Sequence, residues 1–260
     1  MNYRTYETQL AKSYDSSAGQ YRVDDEVEAR SENHRRLGGN LRRICRSFSR
    51  PIRVLEIGCG TGRYFHWLDN VELLVGTDIS AEMLKFAAHP VLEKTITARE
   101  IRLVRGSIYD MAFQPASFDF IYCLGVFGYG AAVTPALAEK MNAWLTPGGW
   151  LYFDAIEVPH CANLRDRVKE ALYPRLPRRL QDMIDGRGSA VPLIRHGRDE
   201  VQRIMQGAGF ADFVLASNAC KSPLWNGTHV ECSACKSDPS AQRAVRMQFE
   251  FAEARKFQTA

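Results

Sequence analysis

Three glycines at alternate positions, Gly58, Gly60 and Gly62, close the apolar run VLEIGCGTG at residues 54–62, and Glu56 stands just ahead of them. A backbone that bare lets a small molecule lie directly against it, because no Cβ intervenes. A dinucleotide loop has the form G-x-G-x-x-G, its third glycine admitting close packing of helix on strand. Arg63 occupies that third place here, which argues against a nicotinamide or flavin ligand. Asp78 lies twenty residues after Gly58. At that spacing a carboxylate at the end of the next strand accepts from both hydroxyls of a ribose.

Groups able to move a proton collect in the second half of the chain. Asp154 and Glu157 follow the fifth apolar run, His160 comes just after them, Tyr129 sits in the loop beyond the fourth run, and His196 precedes a helical segment. Each also has a plain structural use: Asp154 suits a turn cap, and both histidines suit loops. His160, Tyr129 and Asp154 form the candidate catalytic set, with His160 favoured as base because it lies where the sheet gives way to an insertion. HVECSACK offers His229, Cys232 and Cys235 with C-x-x-C spacing, as in metal sites. Strand alternation sends residues three apart to opposite faces, so no metal is expected there.

Alternating strand and helix signals must position these groups. RVLEIG is a short β-rich run, and RYFHWL after the glycines has the character of a helix start. LLVGTDIS is a second strand ending in Asp78, and AEMLKFAA behind it is helical with Ser80 as its N-cap. IRLVRGS and SFDFIYCLGV give a third and fourth strand. TPALAEKMNAWL is a helix with Pro135 in its first turn, and TPGGWLYFDAIE a stop and a fifth strand. Repeated βα units imply a doubly wound parallel sheet. After the fifth strand, residues 158–197 break the rhythm with four prolines and apolar positions about four apart, as in one or two inserted helices. GRDEVQRIMQGAGF reads as a helix closed by glycine, and FADFVLAS and THVECSACK as strands.

Composition limits the function classes. The chain has 260 residues, 45% hydrophobic and 25% charged, enough for one large folded domain. A net charge of +4 does not by itself point to nucleic acid. Its distribution is uneven: residues 163–198 hold nine basic side chains against four acidic ones. Seven scattered cysteines fit free thiols in a reducing cytosol, and MNYRTYETQLAKS lacks the apolar core of a secretory signal, so a cytoplasmic location is expected. Residues 120–138 are uncharged for long enough to cross a bilayer, but their glycines and Pro135 favour a strand and loop.

The ordered set VLEIGCGTG, GTDIS.EML, GSIYDM, SFDFIYCLGVF, LTPGGWLYFD and AGF resembles the class I S-adenosylmethionine-dependent methyltransferases over roughly two thirds of the chain. The resemblance implies a Rossmann-like sheet of seven strands, the last antiparallel, with S-adenosylmethionine across the carboxyl ends of the first strands. It assigns cofactor contacts to Glu56, Gly58, Cys59, Gly60, Gly62, Asp78, Ile79, Met83, Ser107, Ile108 and Leu124. Ser107 departs from relatives of this pattern, which often carry aspartate there to accept from the adenine amino group. Tyr14 resembles a lid tyrosine that relatives place over the cofactor, although a helix face bearing two tyrosines explains it equally.

The expected organisation is an N-terminal helical cap over residues 1–50 and a methyltransferase core over 51–236. The core contains an inserted lid at 158–197, and a C-terminal tail fills 237–260. The expected activity is methyl transfer to a small-molecule acceptor, which the basic insertion would suit to an anion. The alternatives are a non-catalytic cofactor-binding protein or an RNA methyltransferase. A sulfur- or arsenic-methylating role for Cys123 or Cys161 stays open.

Overall fold

In the computed structural model, residues 3–157, 193–221 and 226–238 are described, together with residues 172, 176, 177 and 180. His160, Cys161, most of the inserted segment, and the tail beyond residue 238 lie outside the described residues.

Two helices come first, α1 (Tyr3–Glu28) and α2 (Glu32–Arg46). Ser31 starts α2 by accepting from the His34 N–H at 3.0 Å, and Arg43 and Arg46 place positive charge in its last turn, where the helix dipole favours it. The strands follow: β1 (Ile52–Ile57), β2 (Val71–Asp78), β3 (Glu100–Arg105), β4 (Phe118–Phe127), β5 (Leu145–Ile156), β6 (Asp212–Lys221) and β7 (Asn226–Cys235). Between them lie α3 (Ala81–Ala87), α4 (Pro135–Trp144) and α5 (Arg198–Gly207). Ser80 caps α3 through the Met83 N–H at 3.1 Å, and Pro135 opens α4, where its missing N–H costs no hydrogen bond.

The seven strands form one sheet in the order β3-β2-β1-β4-β5-β7-β6. The first five are parallel, and β7 runs antiparallel to both β5 and β6. Alternating side chains divide the core into two layers. Leu55, Ile57, Ile121, Cys123 and Phe153 face α4 and α5. Val54, Leu74, Phe120, Tyr122 and Tyr152 face α2, whose Leu37, Leu41 and Ile44 are buried at helical spacing.

The chain departs from the expected helix after the glycine loop. RYFHWL forms a turn and a single 3-10 turn over Phe65–Trp67. Phe65 is buried beneath the loop, and its ring would lie 2.8 Å from a Cβ at Gly62, so packing against the loop takes the place of a regular helix. TPGG is likewise absorbed into the start of β5. Residues 120–138 form most of β4, a bridged turn and the start of α4. Among the described residues no helix is long and apolar enough to cross a membrane.

Candidate active site

Sequence order reverses between β1 and β4: from β1 the chain winds outward through β2 and β3, then crosses back to β4. A sheet of this kind opens a crevice at the carboxyl ends of the strands where the winding reverses. A cavity of about 460 Å³ lies there, lined from β1, β2 and β4, from the turns after β3 and β4, and from one face of α1.

The glycine loop forms its floor, and each glycine has its own reason to be bare. Gly58 has φ +66°, and a Cβ there would sit 2.3 Å from Val126 Cγ2, so this glycine serves packing of the loop on the end of β4. A Cβ on Gly62 would strike Phe65 and Pro90. Gly60 differs: at φ +52° its absent Cβ would meet nothing within 4 Å. That direction is open space where Gly60 itself lines the cavity.

Asp78 ends β2 and ties the loop down. One carboxylate oxygen accepts from the Gly60 N–H and the other from the Ser80 N–H, each at 2.9 Å. Burial pushes its pKa up, while those amides pull it back. Glu56, on β1, is buried and accepts from Tyr122 Oη at 2.5 Å. Burial pushes its pKa up to about 8, outweighing the Tyr122 bond and the Arg63 charge, which act to lower it. Arg63 lines the cavity as a partly buried cation, 3.6 Å from Asp25 of α1. Ile79, Met83, Ile108 and Leu124 supply apolar walls, with Cys59 and Ser107 beside them.

The N-terminal helix covers this crevice by polar contacts. Tyr14 Oη donates to the Tyr129 carbonyl at 2.8 Å, and Tyr6 Oη to the Gly130 carbonyl at 2.9 Å. Asp15 accepts from Ser80 Oγ at 2.6 Å, Asp25 accepts from Thr61 Oγ1 in the glycine loop, and Glu7 accepts from Ser107 Oγ.

The expected acid–base residues separate, and among the described ones only Tyr129 reaches the cavity. Asp154 is buried, accepts from the Gly125 N–H at 2.7 Å, and lies 2.7 Å from His229 Nδ1. Burial acts to raise its pKa, but His229, the Gly125 amide and Arg63 outweigh it and hold the carboxyl below its usual range. The Tyr129 ring stands edge-on to the His229 ring, with centroids 6.4 Å apart. His196 has a structural place instead: it is buried, and its Nε2 accepts from the Val133 N–H at 3.0 Å.

Cys123 is fully buried, and burial pushes its thiol well above the usual range, which disfavours the thiolate. Cys232 is buried in the core, whereas the Cys235 thiol points toward the Gly148 carbonyl at 3.7 Å. Among the described residues no three His, Cys, Asp or Glu side chains gather as metal ligands.

Sequence reasoning gave no place at the cavity to Glu7, Asp25, Thr61 or Arg63, and weighed His229 only as a metal ligand. Arg63 carried a signal, since a cation directly after the glycine loop must lie beside whatever the loop holds. The others carried none, because their partners are distant in the chain.

Residues 54–149 match the family model described as a methyltransferase domain. Demethylmenaquinone methyltransferase of Staphylococcus aureus is 29% identical over 105 residues, which cover 38% of this chain and 40% of that protein. The chain spans less than half the length of the curated relatives it matches. A crystal structure of an S-adenosylmethionine-dependent methyltransferase from Thermotoga maritima superposes with TM-score 0.54 at 17% identity, covering 88% of this chain and all of that one. Phosphoethanolamine N-methyltransferase 2 of Haemonchus contortus, solved with phosphomonomethylethanolamine and S-adenosylhomocysteine, gives TM-score 0.54 at 18% identity over 75% of this chain and 52% of that one. The glycine loop and the Asp78 strand end both fall within residues 54–149, so the part of the chain that lines the cavity carries a domain that matches the methyltransferase-domain family, on a fold similar to that of S-adenosylmethionine-dependent methyltransferases.

Proposed function

We propose that the protein transfers a methyl group from S-adenosylmethionine to a small-molecule acceptor. The observation that carries this reading is the open space at Gly60, in a cavity that the Asp78, Glu56 and Arg63 side chains also line. The residues fit the cofactor. Asp78 is held by backbone amides and lines the cavity, where a carboxylate can accept from a ribose hydroxyl. Glu56 and Arg63 match the ammonium and carboxylate of an amino-acid end. Ile79, Met83 and Ile108 offer apolar contact to a flat base, and Tyr14 on α1 lines the same cavity.

When bound, the cofactor supplies a methyl group already activated on a sulfonium. The chain's own task is to hold an acceptor in line and to exclude water. Leu124 and Gly125 at the end of β4 mark the methyl end, and Tyr129 lines the acceptor side. For an acceptor with a proton to lose, Tyr129 is the titratable side chain that lines the cavity, and the buried Asp154–His229 pair stands behind it as a second acid–base group. Asp154 would act there as a positioning residue that holds Nδ1 of the ring. His160 stays a sequence-based candidate for the same task. Relatives named for demethylmenaquinone and phosphoethanolamine support a small acceptor, and the basic excess at residues 163–198 supports an anionic one.

The test is calorimetric titration of the purified chain with S-adenosylhomocysteine. The parent should bind one equivalent. Gly60→Val should weaken binding at least ~100-fold, because a branched side chain fills the ligand's space and strains a positive φ. A thermal melt of the variant separates lost binding from lost folding. Unchanged affinity in a folded Gly60→Val would defeat the cofactor reading.

A further inference from the structure

The cavity extends across three strand ends, and one end has an unusual wall. In the sheet order, β1 carries Glu56 and the loop leading to Arg63, β2 carries Asp78, and β3 is followed by Ser107 and Ile108. A nucleoside whose ribose sits on Asp78, with its amino-acid arm toward Glu56 and Arg63, must lay its base over the end of β3. Adenine brings an exocyclic amino group there, and burying that donor without an acceptor is costly.

Ser107 is poorly placed to be the main acceptor. Its hydroxyl proton is directed at Glu7, and one of its two lone pairs already accepts from the Tyr109 N–H at 3.2 Å. The stronger acceptor at this corner is the Glu7 carboxylate itself. Glu7 lines the cavity from α1, together with Leu10, Tyr14, Tyr21 and Asp25. Those positions fall within one narrow face of a 3.6-residue helix, so the cap turns a single continuous face to the ligand.

We propose that Glu7 is the residue that selects the nucleobase: aimed by Ser107, its carboxylate accepts from the 6-amino group of the purine and repels a 6-oxo group. Base recognition and docking of α1 are then one event, because the reading side chain belongs to the cap and not to the sheet. This rests on the cofactor reading above, and its test is chosen to fail separately from it.

The experiment compares three ligands by calorimetry: S-adenosylhomocysteine, its 6-oxo (inosyl) analogue, and its 6-unsubstituted purine analogue. The parent should prefer the amino form over the unsubstituted one by roughly 10- to 100-fold, the range of a hydrogen bond to a charged group. Glu7→Ala should lose that preference and leave affinity for the unsubstituted analogue within about threefold of the parent. Glu7→Gln is the sharper variant. Its amide also donates, so it should bind the 6-oxo analogue better than the parent does, a reversal that loss of cap docking cannot produce. An equal fall for all three ligands in Glu7→Ala, without the reversal in Glu7→Gln, would overturn the proposal and leave Glu7 as a cap tether. Unchanged affinity for all three in Glu7→Ala would also overturn it. A parent that binds none of the three would instead defeat the cofactor reading, and with it the role of Glu7.

Discussion

Glu56 shows what burial does to a single carboxyl. It lines the cavity and is almost fully buried, and its pKa of about 8 exceeds the ordinary glutamate value of 4.5 because desolvation penalises the charge. Between those two values the folded chain keeps a proton that the unfolded chain has released. Through this group, stability is therefore greatest below about 4.5 and falls as pH rises toward 8. An ammonium group arriving beside Glu56 favours its charged form and expels the proton. Affinity for S-adenosylhomocysteine should consequently rise by roughly tenfold between about pH 6 and pH 7.5, and Glu56→Gln should flatten the rise. Calorimetry in two buffers with different ionisation heats reads the released proton directly. A parent affinity flat across this interval would separate Glu56 from the ligand's ammonium.

Among the elements, α2 is held to the sheet by a buried polar network as well as by its apolar face. Arg36 grips both carboxylate oxygens of Glu231 on β7, with Nη1 at 2.8 Å from Oε2. Tyr152 Oη on β5 donates to Glu231 at 2.9 Å and accepts from Asn40 Nδ2 at 3.0 Å. Glu231 is almost fully buried, so removing its cation leaves an uncompensated charge. Arg36→Ala should destabilise the fold by ~3–5 kcal/mol in urea unfolding. The double variant Arg36→Met with Glu231→Gln should recover most of the loss, since no charge stays buried and the amide oxygen still accepts from Tyr152. A double variant no more stable than Arg36→Ala would show that the guanidinium acts through packing instead. The cap α1 is built differently, attached through Tyr6, Glu7, Tyr14, Asp15 and Asp25, each of which bonds to a loop at the carboxyl edge of the sheet.

At the scale of the molecule, charge is segregated. The whole chain carries +4, yet residues 163–198 alone carry an excess of five positive charges, so the remainder is slightly acidic. If the acceptor is the anion proposed above, such a segment attracts it, and the attraction weakens as salt screens it. Replacing Arg175, Arg178 and Arg179 together with glutamine should lower methyl transfer by about tenfold at low salt, with a smaller loss at high salt and cofactor affinity within about twofold of the parent. Product mass measures the transfer and calorimetry the cofactor. Unchanged transfer at low salt would assign these arginines to solvent.

What the sequence determined by itself was whatever is encoded in short-range pattern. Period-two and period-3.6 runs placed the strands and most helices, Ser80 and Pro135 marked helix starts, and Gly58, Gly60, Gly62 and Asp78 marked the carboxyl ends of the first two strands, because each depends on neighbours within a few residues. The same local reasoning misjudged RYFHWL, where Phe65 turns under the loop instead of propagating a helix. Only the tertiary structure could join Ser107 to Glu7 across 100 residues, Asp154 to His229 across 75, or Thr61 to Asp25 across 36. It also separated the three glycines, two bare for packing and one for open space. Those outcomes depend on the path of the chain between distant residues, and a side chain's local sequence carries no record of which strand end will lie beside it.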